Sequence, residues 1–172
     1  QVLSYSSKMN KIILASSSIY RQQLLKRLPI NFSSISPNID EARISGENFE
    51  DLARRLSNEK AEAVSIKNPS AFVIGSDQTA EFSNKEVRKP LSIEKAFIQL
   101  NELSGQTLNF FSGVCLKNAQ KNISVDEVVK FSVTYKKLSE KQIKRYLSME
   151  DPSQCVGSIK SEGLGITLLE EI

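Results

Sequence analysis

The chain has 172 residues, 40% of them hydrophobic and 25% charged, the balance of an ordinary globular protein with a core that needs no disulfide or metal staple. Its 23 basic and 20 acidic residues give a net charge of +3 and are scattered instead of gathered into one run, which argues against a nucleic-acid surface. Histidine is absent and the two cysteines, Cys115 and Cys155, are far apart, so histidine-based triads, imidazole acid–base catalysis, His-ligated zinc and a disulfide framework are excluded.

Chemistry must therefore rest on carboxylates, Lys, Arg and hydroxyls, groups suited to hard divalent cations and phosphates. No apolar run approaches the roughly 18 residues of a membrane span, and residues 1–10 lack the apolar centre of a signal peptide, so a cytoplasmic location is expected. Met9 reads as a natural start, with residues 1–8 as an extension ahead of it.

In chain order, Lys11 to Ala15 reads as a short strand, and Ser16, Ser17 and Ser18 lead into an amphipathic helix over Ile19 to Leu28. Phe32 to Ser36 reads as a second strand, followed after Pro37 by a polar loop from Asn38 to Glu47. Asn48 with Asp51 marks the start of a long helix, on which Phe49, Leu52, Ala53, Leu56 and Ala63 share a face. Lys60 falls four residues after Leu56 and so points inward. A lysine there either snorkels out of an apolar face or reaches a buried anion.

Ala71 to Ile74 reads as a buried strand that delivers Gly75-Ser-Asp-Gln78 at its carboxyl end, the usual place for ligands in open α/β sheets. Thr79 to Lys89 fits a hairpin around Ser83-Asn84, and Ser92 caps a helix running to about Leu103. Thr107 to Leu116 and Ile123 to Lys137 read as long strands joined near Asn118, and Ser139 with Gln142 forms a capping box for a helix to Ser148. Gly157 to Ile166 is glycine-rich. The whole reads as mixed α/β with one continuous sheet.

Several segments, in this order, resemble the Maf family of nucleotide pyrophosphatases. Ile12 to Arg21 is similar to the family's opening Leu-Ala-Ser-x-Ser-Pro-x-Arg-Arg, and Ile35 to Glu41, Glu59-Lys60-Ala61, Ile74 to Gln78, Lys89-Pro90 and Gly157 to Gly163 resemble its later motifs. Ile19 stands in place of the proline, and Gln22 in place of the second arginine. The resemblance implies a Maf/ITPase-like fold, an elongated mixed central sheet flanked by helices with two lobes around a cleft. It also implies that residues 9–172 form a single domain, that family members continue through a further helical segment, and that the protein is a homodimer.

The implied activity is hydrolysis of a nucleoside triphosphate to the monophosphate and pyrophosphate. Asp77 would be the proton acceptor. Glu41 and Asp77 would hold a divalent cation, Mg²⁺ or alternatively Mn²⁺, and Ser16, Ser18, Arg21, Lys60 and Lys89 would bind phosphate. Read without the resemblance, the serines cap a helix, Asp77 forms a turn, and Glu41 and Lys89 are solvated surface. Base choice follows Tyr20, Gln78 and Glu162, an aromatic, Gln and Glu set resembling the branch that acts on 7-methyl-GTP. Methylation at N7 makes guanine cationic and thus attractive to an aromatic face, while a carboxylate accepts hydrogen bonds from guanine N–H groups. The alternatives are a dTTP/UTP pyrophosphatase, a non-catalytic nucleotide-binding regulator of cell division, and a phosphatase that releases orthophosphate.

Overall fold

The computed structural model describes residues 11–172, so the extension expected over residues 1–8 lies outside the described residues. Among the described residues seven strands and four helices follow one another as β1 (Ile12–Ala15), α1 (Ile19–Leu25), β2 (Phe32–Ser34), α2 (Phe49–Ser65), β3 (Phe72–Phe82), β4 (Lys85–Glu86), α3 (Ile93–Leu103), β5 (Thr107–Asn118), β6 (Ile123–Tyr135), α4 (Glu140–Met149) and β7 (Leu169–Glu171). Two short 3-10 turns, Val156–Ser158 and Leu164–Leu168, occupy the glycine-rich region before β7. The strands form one sheet in the order β2-β1-β3-β5-β6-β7, with β4 paired to β3.

The sheet is mixed for a reason visible in the connections. β1 runs parallel to β2, with Leu14 opposite Ser34, and parallel to β3, with Ala15 opposite Gly75, and the crossovers carry α1 and α2. Parallel neighbours need such long crossovers. The two-residue loop at Ser83-Asn84 instead makes β3 and β4 antiparallel; both residues have positive φ, 52° and 61°, the primed-turn geometry that suits the twist of paired strands.

Most elements sit where the sequence pattern puts them, and the differences have local causes. α1 stops at Leu25, short of Leu28, because Pro29 disfavours helical backbone in the residue before it. β3 does not end at Ile74. It continues through Gly75, Ser76, Asp77 and Gln78 to Phe82, so that tetrapeptide lies within a strand and not in a loop beyond one. β7 carries no local signal and forms by pairing with the end of β6, Thr134 opposite Glu171.

Two compact units make up the fold. The first comprises residues up to Glu47, Asp51–Asp77 and Gly113–Val128, and its core holds Ile13, Ala15, Ala61, Val64, Ala71, Val73 and Cys115. The second comprises Asn48–Glu50, Gln78–Ser112 and Val129–Ile172, with a core that includes Leu100, Leu108, Phe110, Tyr135, Ile143 and Tyr146. Tyr135 there donates a 2.8 Å hydrogen bond to the Gly157 carbonyl, and burial pushes its phenol pKa well above the ordinary value.

In the first unit α2 lies unusually close to the sheet. A Cβ built on Gly75 would stand 2.1 Å from the Ser57 carbonyl oxygen and 2.6 Å from the Ala61 nitrogen; one on Gly113 would stand 2.4 Å from the Ala53 oxygen. Small residues on the helix face glycines on the strands, and the backbones meet with no side chain between them. Gly75→Ala should therefore destabilise the protein by about 1–3 kcal/mol by forcing α2 outward, read as a lower urea midpoint. An unchanged midpoint would contradict this close approach.

Candidate active site

Strand periodicity decides where Asp77 points. On β3 the positions of Val73, Gly75 and Asp77 share one buried face, and the exposed Gln78 turns to the other. The same face meets α2, whose buried residues Leu52, Ala53, Leu56, Ser57, Lys60, Ala61 and Val64 follow helical spacing. Ala63, expected on this face, is instead half-buried at its border. Because Gly75 brings the helix down onto the strand, Lys60 on α2 reaches the carboxylate two residues further along β3.

The contact is short. Lys60 Nζ donates to Asp77 Oδ1 at 2.6 Å, and both residues are about 95% buried, with 4% and 5% of their surface exposed. The same ammonium lies 2.8 Å from Glu41 Oε1, whose side chain is largely exposed. Arg21, two residues into α1, brings its Nη2 to 3.9 Å from Asp77 Oδ1. Among the described residues the hydrogen bond to this carboxylate goes to Oδ1, and none is made to Oδ2. The result is a buried carboxylate with one oxygen addressed by two cations.

Ser16 and Ser18 lie at the turn between β1 and α1. Ser16 Oγ accepts from the Ser18 N–H at 3.1 Å, and Ser18 Oγ caps the helix by accepting from the Arg21 N–H at 3.4 Å. The hydroxyls thus organise the turn that delivers Arg21. Tyr20 stands half-exposed on α1.

The remaining expected residues belong to the second unit. Gln78 donates from Nε2 to Ser112 Oγ at 2.9 Å. Glu162 is exposed and accepts from the Ser161 hydroxyl at 3.1 Å. Lys89 lines a pocket of about 290 Å³ together with Arg88, Leu91, Lys95, Gln99 and Glu102. Gln99 braces this region, donating to the Arg88 carbonyl at 3.0 Å and accepting from the Ser158 hydroxyl at 2.6 Å.

The chemistry of the donor set fits a hard divalent cation. Glu41 Oε1 and Asp77 Oδ1 both lie within 3 Å of the Lys60 ammonium, at 2.8 and 2.6 Å, so carboxylate oxygens from distant parts of the chain, the donors such an ion takes, are gathered around one point that the lysine occupies. Among the described residues no group of three or more His, Cys, Asp and Glu side chains is gathered for a metal. Two protein oxygens suit an ion whose shell is completed by phosphate and water.

A charge network that none of the sequence motifs includes lies beside this cluster. Arg55 on α2 forks onto Glu47, Nε to Oε1 at 2.7 Å and Nη2 to Oε2 at 2.9 Å, and also meets Glu59 at 3.1 Å. Its hydrogen bonds hold the Glu47 carboxyl below the ordinary glutamate range. The Arg55 to Glu59 spacing, four residues on a helix, is the one signal a sequence offers for it.

A buried pair of this kind is costly to break on one side, because the surviving Asp77 loses its hydrogen-bonded partner and, among the described residues, keeps only Arg21 at 3.9 Å. Lys60→Met should destabilise the protein by about 3–5 kcal/mol, and the double variant Lys60→Met, Asp77→Leu should recover part of the loss. Thermal melts of both variants test this, and a single variant as stable as the wild type would show that the pair is not an isolated buried one.

The Maf-like protein family profile matches residues 11–172. Similar chains include the 7-methyl-GTP pyrophosphatase of Pseudomonas putida, 43% identical over 162 residues and spanning 94% of this chain and 84% of the relative. Those of Nitrosococcus oceani and Pseudomonas aeruginosa, 44% and 46% identical, span 94% and 93% of this chain and 81% and 83% of the relatives. Among solved structures, the Staphylococcus aureus Ham1 protein aligns with a TM-score of 0.46 at 20% identity, covering 74% of this chain and 71% of that one. The HAM1 protein from Coxiella burnetii aligns at 0.43 and 15%, covering 74% and 73%.

Proposed function

This chain belongs to the Maf family, and from that membership we propose that it is a nucleoside triphosphate pyrophosphatase, cleaving between the α- and β-phosphates to give the monophosphate and pyrophosphate, with 7-methyl-GTP as substrate. The observation that carries the reading is the buried Asp77, whose Oδ1 lies 2.6 Å from Lys60 Nζ and 3.9 Å from Arg21 Nη2.

Asp77 Oδ2 takes the proton of the water that attacks the α-phosphorus. General bases need hydrogen-bond reach and a fixed orientation, and the two cations on Oδ1 supply the second. Charge develops on the phosphoryl oxygens and on the departing pyrophosphate, and cationic donors already in place stabilise it without rearrangement. Lys60 donates to Asp77 and pairs with Glu41, and its ammonium has further N–H groups to offer a phosphoryl oxygen. Arg21 offers its planar fork from the first turn of α1. The Ser16 and Ser18 hydroxyls and the backbone N–H groups of their turn add neutral donors. Gln22, standing where the family has its second arginine, supplies none of that charge.

Glu41 and Asp77 would hold Mg²⁺, or Mn²⁺ in its place, and the ion when bound would neutralise charge on the triphosphate. Lys89 is assigned to phosphate, and Tyr20, Gln78 and Glu162 to the base, residue by residue from the family resemblance. The relatives named 7-methyl-GTP pyrophosphatase support this choice of base. So does its chemistry: N7-methylguanine is a cation that an aromatic ring attracts, and its N1–H and N2–H groups donate to a carboxylate.

Pyrophosphate release in Mg²⁺ tests the reaction. Asp77→Asn should lower kcat by about 10²- to 10⁴-fold, and a variant with the wild-type rate would remove Asp77 as the base. Orthophosphate as the product would overturn the reaction class. For the base, kcat/KM on 7-methyl-GTP should exceed that on dTTP or UTP by at least about tenfold, and Glu162→Gln should narrow the gap. Equal turnover of the three nucleotides would defeat the assignment of substrate while leaving the reaction intact.

A further inference from the structure

The loop that carries Glu41 has no regular secondary structure between β2 and α2, and it includes two left-handed backbone positions, Asn38 and Gly46. Glu41 itself is largely exposed, so packing does not fix it. α2 grips this loop at two successive residues. Lys60 holds the Glu41 carboxylate at 2.8 Å, and one turn and a half earlier Arg55 donates from Nη2 to the carbonyl oxygen of Ala42 at 3.0 Å.

Arg55 does more than touch the backbone. Its fork onto Glu47 closes the far end of the loop, and Glu47 in turn turns the chain inward: its Oε2 accepts from the Ile44 N–H at 3.2 Å, and its carbonyl accepts from the Arg43 guanidinium, Nε at 2.7 Å. Asp40 adds a local turn by accepting from the Ala42 N–H at 2.9 Å. A single guanidinium therefore ties residues 42 and 47 to the helix that bears Lys60. A planar group with five fixed donors can do this, whereas an ammonium, which is a point charge, cannot hold the same fork.

We infer that Arg55 is a positioning residue for the cation site: by fixing the loop at Ala42 and Glu47 it sets the reach of the Glu41 carboxylate toward the point it shares with Asp77. Arg55 makes its hydrogen bonds to Ala42, Glu47 and Glu59. Its effect passes through the backbone next to Glu41, and it rests on the reading above in which Glu41 holds the cation. Small misplacements at such sites have large effects, because a carboxylate displaced by about an ångström no longer completes the shell.

The test uses Mn²⁺ alone, titrated into the full chain and followed by electron paramagnetic resonance, with trypsin cleavage after Arg43 as a second readout. Arg55→Met should weaken Mn²⁺ binding by about tenfold, Arg55→Lys by an intermediate factor, and both should speed cleavage at Arg43. Arg54→Met, one residue earlier on α2 where the guanidinium pairs with Asp126, should do neither. Arg55→Lys keeps the charge and carries the test if the methionine variant does not fold. Faster cleavage with wild-type Mn²⁺ affinity would make Arg55 a structural tether only and overturn the inference, provided Glu41→Gln still weakens binding. If Glu41→Gln itself leaves Mn²⁺ affinity unchanged, the cation role of Glu41 fails, and the inference with it.

Discussion

The Lys60–Asp77 pair exists because a helix backbone can lie against a strand backbone. Two charges with about 5% of their surface exposed would not be stable in a protein interior unless they met at hydrogen-bond distance, since each carries a desolvation penalty of several kcal/mol. Meeting at 2.6 Å requires α2 to come down onto β3, and the glycine at position 75, facing Ser57 and Ala61, makes that approach sterically open. Any side chain there would lift the helix and lengthen the ion pair. The seam of small residues and the buried charges are two parts of one arrangement, the first permitting the second.

Around that pair the other groups fall into place by short connections. α1 begins immediately after the serine turn at the end of β1, and the turn's own hydroxyl bonds set where Arg21 emerges. Glu41 arrives from the irregular loop before α2, held by the helix at adjacent residues. Helix α2 therefore acts as the common frame: its buried face supplies Lys60, its flank supplies Arg55, and its small residues set its height above the strand. Functional groups carried by loops need such a rigid reference, because the loop's own backbone has few contacts to hold a geometry.

Much of this was legible in the sequence. Leu56 to Lys60 spacing places the lysine inward, and the structure buries it. Ser18, Ser92 and Ser139 read as helix caps, and each accepts the backbone bond of a cap. The Ser83-Asn84 turn and the sheet's mixed character follow from local pattern and connection length. Less legible was the course of β3: the apolar run ends at Ile74, and only pairing with its neighbours carries the strand on through Asp77 to Phe82. β7, with three residues and no distinctive composition, depends wholly on the partner it finds in β6.

What the sequence determined by itself is the available chemistry and the local direction of side chains. With no histidine, acid–base and phosphate-binding chemistry falls to carboxylates, lysines, arginines and hydroxyls, and periodicity of 3.6 or 2 says which of them turn inward. What only the tertiary structure decided is which of those groups meet. Glu41, Lys60 and Asp77 come from a loop, a helix and a strand, and their convergence depends on strand register and on the height of α2 above the sheet. The Arg55–Glu47 fork has the same character. Pattern along a chain encodes orientation within one element, whereas distance between elements is set by packing of backbones, and no local spacing records it.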